Sequence, residues 1–292
     1  MYGAIAANKR NTLLIMALFI GVVSAIGWVI SLYFGNTSIT YWVIGGAALY
    51  AIVQYYAASK LAVMSTGAKE IEKKDNPRLY RIVENLAITT GMPMPKVYIM
   101  DDPAPNAFAT GRDPKHAIVA ATTGIMEVMN DRELEAVMAH EMAHVQNYDI
   151  RVSMIAFGLV SAIGILSDLA MHMFFFGGNN DNRNVNPIVI IVGIVLIVLA
   201  PLMAMLIQFA ISRQREYLAD ATGSMTTRDP EGLAMALEQL EKHSRPMQRQ
   251  STSTAHLFFS NPLKSGAVAS LFSTHPPLES RIARLRGNAE KF

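Results

Sequence analysis

The hydrophobic positions of the chain fall into long apolar runs, separated by stretches with the mixed pattern of a folded polar unit. Four runs are long enough to cross a hydrocarbon layer, which takes about 20 apolar residues. They are residues 13–34, 39–59, 153–176 and 188–212. The first two contain no charged residue, whereas Asp168 and His172 interrupt the third and Pro201 and Gln208 interrupt the fourth. The pattern predicts four transmembrane helices; two spans plus two buried helices of a soluble core are the alternative.

Between the second and third runs, the pattern is that of a small α+β unit. Asn76 and Pro77 start a helix that Gly91 ends. Asn130 and Glu133 form a capping-box pattern that starts a second helix. Short strands are predicted at residues 96–100, 107–110 and 117–122, the last two paired through a turn at 111–115.

After the fourth run, Asp229 and Pro230 start a further helix, and a last helix is predicted from Pro276 to about Arg286. The chain is therefore expected to comprise two membrane helices, a first polar segment, a membrane hairpin and a second polar segment. Their predicted bounds are 1–59, 60–151, 152–212 and 213–292.

Composition and charge agree with a membrane protein. The chain is 51% hydrophobic and 16% charged, as expected for membrane proteins. Its net charge of +2 and the lack of a basic run argue against a nucleic-acid partner. The chain has no cysteine, which excludes disulfides and thiolate metal ligands.

Basic residues flank the apolar runs on one side only. They are Lys9, Arg10, Lys60, Lys69, Arg151, Arg213 and Arg215. The short connections at 35–38 and 177–187 carry almost no charge. The positive-inside rule then predicts that both termini and both polar segments face the cytoplasm.

Residues 140–144 read H-E-M-A-H and fall on the helix predicted to start at Asn130. His140 and His144, four apart, lie on one helix face, where two imidazoles can bind one metal ion. Glu141 lies beside that face and can act on a water molecule without being a ligand. The spacing is typical of zinc peptidases.

A catalytic zinc site needs a third protein ligand. Glu216 is the best candidate, because it lies on a helical extension of the fourth apolar run. Asp220, one turn later, can accept a hydrogen bond from a liganding imidazole. The alternative for Glu216 is an ion pair with Arg213 or Arg215 beside the membrane.

Four motifs together resemble one family, the HtpX-type integral-membrane metalloproteases, which are related to the CAAX prenyl endopeptidases. They are H-E-M-A-H with Asp149 soon after it, R-E-Y-L-A-D at 215–220, N-A-F-A-T-G at 106–111 and T-H-P-P-L at 274–278. The resemblance covers essentially the whole chain. It implies a mainly α membrane protein with four transmembrane helices and a cytoplasmic α+β gluzincin-type protease domain built from two sequence segments.

The resemblance also implies an activity. One Zn²⁺ per chain is expected on His140, His144 and Glu216, with Glu141 as general base. The expected role is quality control in the bacterial inner membrane, with misfolded or damaged membrane proteins cleaved on the cytoplasmic side. A non-enzymatic membrane scaffold with a structural metal is the rival class, and structural zinc normally has four protein ligands.

Two further residues have open alternatives. Asn106 can hydrogen-bond to a substrate backbone that pairs along residues 107–110, or can simply form a turn. His275 can donate to the oxyanion of a tetrahedral intermediate, or can serve only as a helix-entry residue. Asp168 and His172 can mark an ion path, although an orientation toward the bundle or the outer interface is favoured.

Overall fold

The computed structural model describes residues 2–156, 158–159, 162, 213–249, 257–260 and 276–287. The chain divides into two compact units. The first comprises residues 1–8, 59–154 and 211–292, and the second comprises residues 9–58 and 155–210. The predicted third and fourth spans fall almost wholly outside the described residues and stay predictions.

Two long helices, α1 (Tyr2–Phe34) and α2 (Ser38–Thr66), supply most of the described part of the second unit through their residues 9–34 and 38–58. Both run beyond the predicted apolar segments, since α1 begins well before residue 13 and α2 continues past residue 59. No proline interrupts either helix, and polar residues continue a helix as readily as apolar ones do. The apolar runs therefore mark the predicted spans and not the helix ends.

The two helices contact each other closely within the second unit. The rings of Phe19 and Tyr50 lie 5.8 Å apart. A Cβ atom at Gly27 would lie 2.7 Å from the Cβ of Val43, so the absence of a side chain at Gly27 permits this approach.

Both helices also present large apolar side chains on their surface. These include Leu13, Leu14, Leu18, Trp28, Trp42, Leu49, Ile52 and Tyr56. Among the described helices, one segment, Ile5–Trp28 of α1, is long and apolar enough to cross a membrane. The α2 helix contains the second predicted span, but its Tyr, Trp, Gly and Gln residues lower its hydropathy. Four spans are thus not established by the described residues.

The first unit contains a four-stranded sheet in the order β1 (Lys69–Glu70), β2 (Lys96–Met100), β4 (Ala117–Thr122) and β3 (Ala107–Gly111). The three longer strands confirm the predicted ones. The β2 and β4 strands are parallel, and β3 pairs antiparallel with β4 through Phe108 and Ala120. The β1 strand was not predicted, because its two polar residues give no alternating pattern.

The named helices of the first unit are α3 (Pro77–Thr90), α4 (Thr123–Val128), α5 (Asp131–Gln146), α6 (Arg213–Thr227), α7 (Pro230–Lys242) and α8 (Leu278–Gly287). The starts of α3, α5 and α7 confirm the predicted signals, and α8 begins two residues after the predicted Pro276. Asn76 caps α3 through the amide of Leu79, and Gly91 ends it with a left-handed φ of 66°. The short helix α4 was not predicted. Residues 149–156 are also helical.

The core of the first unit forms where α5 packs against the sheet and against α3, α6 and α7. Leu134, Val137 and Met138 of α5 are fully buried there with Val119 of β4 and Leu237 of α7. Burying side chains of this size contributes about 1.5–3 kcal/mol each. The packing of α5 fixes the positions of its other side chains, including those of the H-E-M-A-H sequence.

Candidate metal centre

The α5 helix carries the H-E-M-A-H sequence in a fixed register. Its start is held by a complete capping box, in which Asn130 accepts from the amide of Glu133 and Glu133 accepts from that of Asn130. His140 and His144 therefore lie one turn apart, with their Nε2 atoms separated by 3.1 Å. His140 is fully buried, and the side chain of His144 is 14% exposed. Both imidazoles direct Nε2 toward the same point.

The α6 helix brings Glu216 to that point. Its carboxylate oxygens lie 3.6 Å from Nε2 of His140 and 3.5 Å from Nε2 of His144. Close approach of α6 to α5 requires a glycine, since a Cβ atom at Gly223 would lie 2.9 Å from the backbone nitrogen of His140. One ligand atom from each of the three residues falls within 4.8 Å of the others.

The far nitrogen of His140 is held by a carboxylate. Its Nδ1 lies 2.9 Å from Oδ1 of Asp220, one turn beyond Glu216 on α6. Asp220 is itself bound by the fully buried Arg281 of α8. A carboxylate on the outer nitrogen fixes the orientation of an imidazole whose inner nitrogen binds a metal.

The far nitrogen of His144 has the same type of partner. Its Nδ1 lies 3.1 Å from Oδ2 of Asp149, just after the end of α5. Nδ2 of Asn8 donates to the other oxygen of Asp149 at 2.7 Å. Nη1 of Arg215 lies 3.6 Å from Oδ1 of Asp149, so Arg215 forms an ion pair with Asp149.

The carboxylates make this cluster attractive to a cation. Burial by itself would lower the pKa of His140, but hydrogen bonds to Asp220 and Glu216 outweigh it and raise that pKa. Burial likewise opposes a charge on His144, and Glu216 and Asp149 outweigh it and raise the pKa. Burial would raise the pKa of Asp220, but Arg281 and His140 lower it to about 2. The site thus stabilises positive charge at both imidazoles.

Glu141 is buried beside the cluster, with 3% of its surface exposed. Burial lowers the pKa of Arg281, but Asp220 raises it above its ordinary value, with smaller contributions from Glu216 and Glu141. These interactions place the charge of Glu141 near Arg281. Glu141 is not one of the three residues whose ligand atoms converge.

Asn106 lies at the start of β3, and its amide is engaged within the chain. Its Nδ2 donates to the carbonyl of Ser260 at 2.8 Å, and its Oδ1 accepts from the amide of Ser260 at 3.0 Å. These contacts favour a structural role, whereas binding of a substrate backbone by Asn106 stays a prediction.

The edge of β3 is partly covered by the same segment. Phe258 forms an antiparallel bridge with Phe108, and the amide of Phe259 donates to the carbonyl of Ala107 at 2.8 Å. The ring of Phe259 also lies edge-on to His140, at 4.8 Å between centroids. Residues 257–260 thus lie between the β3 edge and a candidate metal ligand.

His275, Asp168 and His172 lie outside the described residues, so their predicted roles stay predictions. No role was predicted for Arg281, Asn8 or Phe259, which all contact the site or its partners. An arginine in an R-I-A-R-L-R helix and an asparagine next to Lys9 look like ordinary polar residues. The family motifs identified in the sequence contain none of these three residues.

The chain is similar to known proteases over its length. Residues 73–289 match Peptidase family M48. The chain is 54% identical over 292 residues to a protease HtpX homolog of Tropheryma whipplei strain Twist, with 100% of both chains covered. It is 42% identical over 294 residues to a protease HtpX homolog of Dictyoglomus turgidum, with 100% of this chain and 96% of the relative covered.

A solved structure shares the fold. The crystal structure of S. mikatae Ste24p aligns with a TM-score of 0.50 and 18% identity, over 98% of this chain and 67% of that chain. The predicted family resemblance is therefore confirmed. The chain belongs to peptidase family M48, as a membrane metalloprotease of the HtpX type.

Proposed function

We propose that the chain is a zinc-dependent endopeptidase in which His140, His144 and Glu216 hold the metal. The observation that carries this proposal is the convergence of two imidazole nitrogens and one carboxylate oxygen within 4.8 Å. Three protein ligands of this kind leave one coordination position open, which is the arrangement of catalytic zinc and not of structural zinc. When bound there, zinc supplies Lewis acidity toward water and the scissile carbonyl.

Glu141 acts as the general base in this proposal. It directly follows His140 and precedes His144 by three positions, and it is not one of the three residues whose ligand atoms converge. It takes a proton from the attacking water and returns it to the leaving amine. Its burial supports this role, because a carboxylate with little bulk water around it interacts strongly with a proton in transfer.

Asp220 and Asp149 orient the two imidazoles. Each carboxylate lies beside an Nδ1 atom, at 2.9 Å and 3.1 Å, which keeps that nitrogen protonated and leaves Nε2 free to bind the metal. The two carboxylates are in turn bound by Arg281 and Asn8. Pre-orientation of both ligands reduces the entropy lost on metal binding.

The substrates in this proposal are misfolded or damaged membrane proteins of the bacterial inner membrane, cleaved on the cytoplasmic side. Support for a membrane setting comes from the exposed apolar surface of α1 and α2 and from the HtpX relatives. Support for the cytoplasmic side comes from the basic residues that flank the apolar runs. A multi-pass layout with both termini in the cytoplasm is part of the same proposal.

The decisive experiment compares the detergent-purified full chain with its Glu141→Gln variant. We expect one zinc per chain in both, and hydrolysis of an unfolded casein slower by at least about 100-fold in the variant. Glu135→Gln is the matched control, because Glu135 lies on the same helix away from the cluster. Full activity of Glu141→Gln, or a wild-type chain without zinc, would refute the proposal.

A further inference from the structure

The first turns of α1 reach the partners of the metal centre. Asn8 is 4% exposed, and its Nδ2 donates to Oδ1 of Asp149 at 2.7 Å and to the carbonyl of Asn147 at 2.9 Å. These partners lie about 140 residues further along the chain. Both acceptors are oxygens without a donor hydrogen, so the amide group must present its nitrogen to them.

The turn that follows α5 depends on an unusual backbone conformation. Tyr148 has a φ of 62°, a left-handed value that non-glycine residues rarely adopt. This turn returns Asp149 toward His144, so that Oδ2 lies 3.1 Å from Nδ1 of the imidazole. The two N–H groups of Asn8 match one backbone oxygen and one carboxylate oxygen of the turn, and therefore hold both together.

We propose that Asn8 is a positioning residue of the metal centre, acting through Asp149 on His144. The inference rests on the proposed function, in which His144 is a metal ligand. With Oδ1 of Asp149 bound by Asn8, the carboxylate cannot rotate freely, and Oδ2 stays directed at the imidazole. His144 then keeps Nε2 toward Glu216 and His140.

The consequence is that metal affinity depends on the start of the first helix, far from the H-E-M-A-H sequence. Asn8 belongs to the same compact unit as the metal cluster, whereas the remainder of α1 from Lys9 to residue 34 belongs to the other unit. Losing an outer partner of a metal-binding histidine typically weakens metal binding by about 10- to 100-fold.

The test measures the zinc dissociation constant of the detergent-purified full chain by competition with a chelator. Asn8→Ala is expected to bind zinc about 10-fold more weakly than the wild type. Asn11→Ala, one turn later on the same helix, is the matched control and should bind like the wild type. Equal affinities of Asn8→Ala and the wild type would overturn the inference. If Asn8→Ala does not fold, the zinc dissociation constant of Asn8→Ser is measured instead, with the same expected and contradicting results.

A double-mutant cycle separates positioning from a general structural role. If Asn8 acts through Asp149, then Asn8→Ala has no further effect on zinc affinity when Asp149→Ala is already present. The same loss of affinity in both backgrounds would contradict the proposed route. The proposed route would also be contradicted if Asn8→Ala lowered the melting temperature of the zinc-free chain and left the zinc affinity unchanged.

His144→Ala distinguishes this inference from the proposed function beneath it. If His144→Ala binds zinc like the wild type, the assignment of His144 as a ligand is wrong. The role of Asn8, which depends on that assignment, is then wrong as well. If His144→Ala loses zinc while Asn8→Ala keeps wild-type affinity, the ligand assignment stands and the inference about Asn8 alone is wrong.

Discussion

Arg281 binds Asp220 with two hydrogen bonds, from Nη2 to Oδ1 at 2.6 Å and from Nε to Oδ2 at 2.9 Å. Such a two-pronged pair is stronger and more directional than a single contact. Asp220 also lies beside Nδ1 of His140. The pair therefore ties the C-terminal helix α8 to a candidate metal ligand on α5.

Replacing Arg281 should be costly because it leaves a buried carboxylate without its cation. We expect Arg281→Met to lower the free energy of unfolding by about 3–5 kcal/mol and to weaken zinc binding. Arg284→Met is the matched control, since the exposed Arg284 stacks on Tyr217 at 4.5 Å and such a contact is worth about 0.5–1 kcal/mol. Denaturant unfolding and zinc titration check both. Equal losses in the two variants would argue against a special role for the pair.

The ligand set predicts a clear pattern of metal contents. His140→Ala, His144→Ala and Glu216→Ala should each lose zinc and activity together, because two remaining ligands hold the ion poorly. Glu238→Ala, which removes a surface carboxylate paired with Arg286, should keep both. Metal analysis of the purified variants decides this. Full zinc occupancy in Glu216→Ala would rule out Glu216 as the third ligand.

Local signals made much of the fold and the metal cluster predictable. The capping box of Asn130 and Glu133 fixed the register of α5, so the two histidines were expected on one face. Glu216 followed from the need for a third ligand. Each of these inferences used residues within one or two helical turns, or a known requirement of zinc chemistry.

Several unpredicted contacts join residues far apart in sequence. Arg281 meets Asp220 across 61 positions, and Asn8 meets Asp149 across 141. The pairing of Phe258 with Phe108 on the β3 edge is of the same kind. Such contacts depend on how α1, α8 and the sheet pack, which periodicity along one segment does not encode.

The raised pKa values of His140 and His144 predict opposite pH effects with and without metal. In the zinc-free protein, the folded state binds these protons more tightly than the unfolded chain. The contribution of the two protonated histidines to the free energy of unfolding is complete below the ordinary histidine pKa of about 6.5. It is lost as the pH rises through their raised pKa values. Zinc needs both imidazoles deprotonated, so its stabilisation grows over the same range.

Raising the pH from about 6 to about 8 should therefore lower the melting temperature of the zinc-free chain and increase the stabilisation that added zinc provides. Asp220, whose pKa is about 2, stays ionised throughout. Thermal melts with and without zinc across this range provide the measurement. A zinc-induced shift that does not change with pH would contradict the assignment of both histidines as ligands.

The contacts of Asn106 predict a loss of stability without a loss of substrate binding. Asn106→Ala removes two hydrogen bonds to Ser260 and should destabilise the fold by about 1–3 kcal/mol. The Michaelis constant for an unfolded substrate should not rise, since the amide is already used within the chain. Asn85→Ala, at an exposed position of α3, is the control. A sharp rise in the Michaelis constant with unchanged stability would restore a substrate-binding role.

Sidedness can be tested directly because the chain has no native cysteine. Lys74, whose side chain is 77% exposed, lies in the segment proposed to face the cytoplasm. Asn180 lies outside the described residues, in the loop that the sequence places on the far side. We expect Asn180→Cys to react with a membrane-impermeant maleimide in intact cells. Lys74→Cys should react only after the membrane is opened.

The two labels test different parts of the proposal. If Lys74→Cys reacts in intact cells, the metal centre faces outward, because Lys74 belongs to the same compact unit as His140. The proposal that substrates are cleaved on the cytoplasmic side would then be wrong. If Asn180→Cys is protected while zinc content and activity are normal, the predicted third and fourth runs do not both cross the bilayer. The positive-inside assignment requires labelling at Asn180 and protection at Lys74 together.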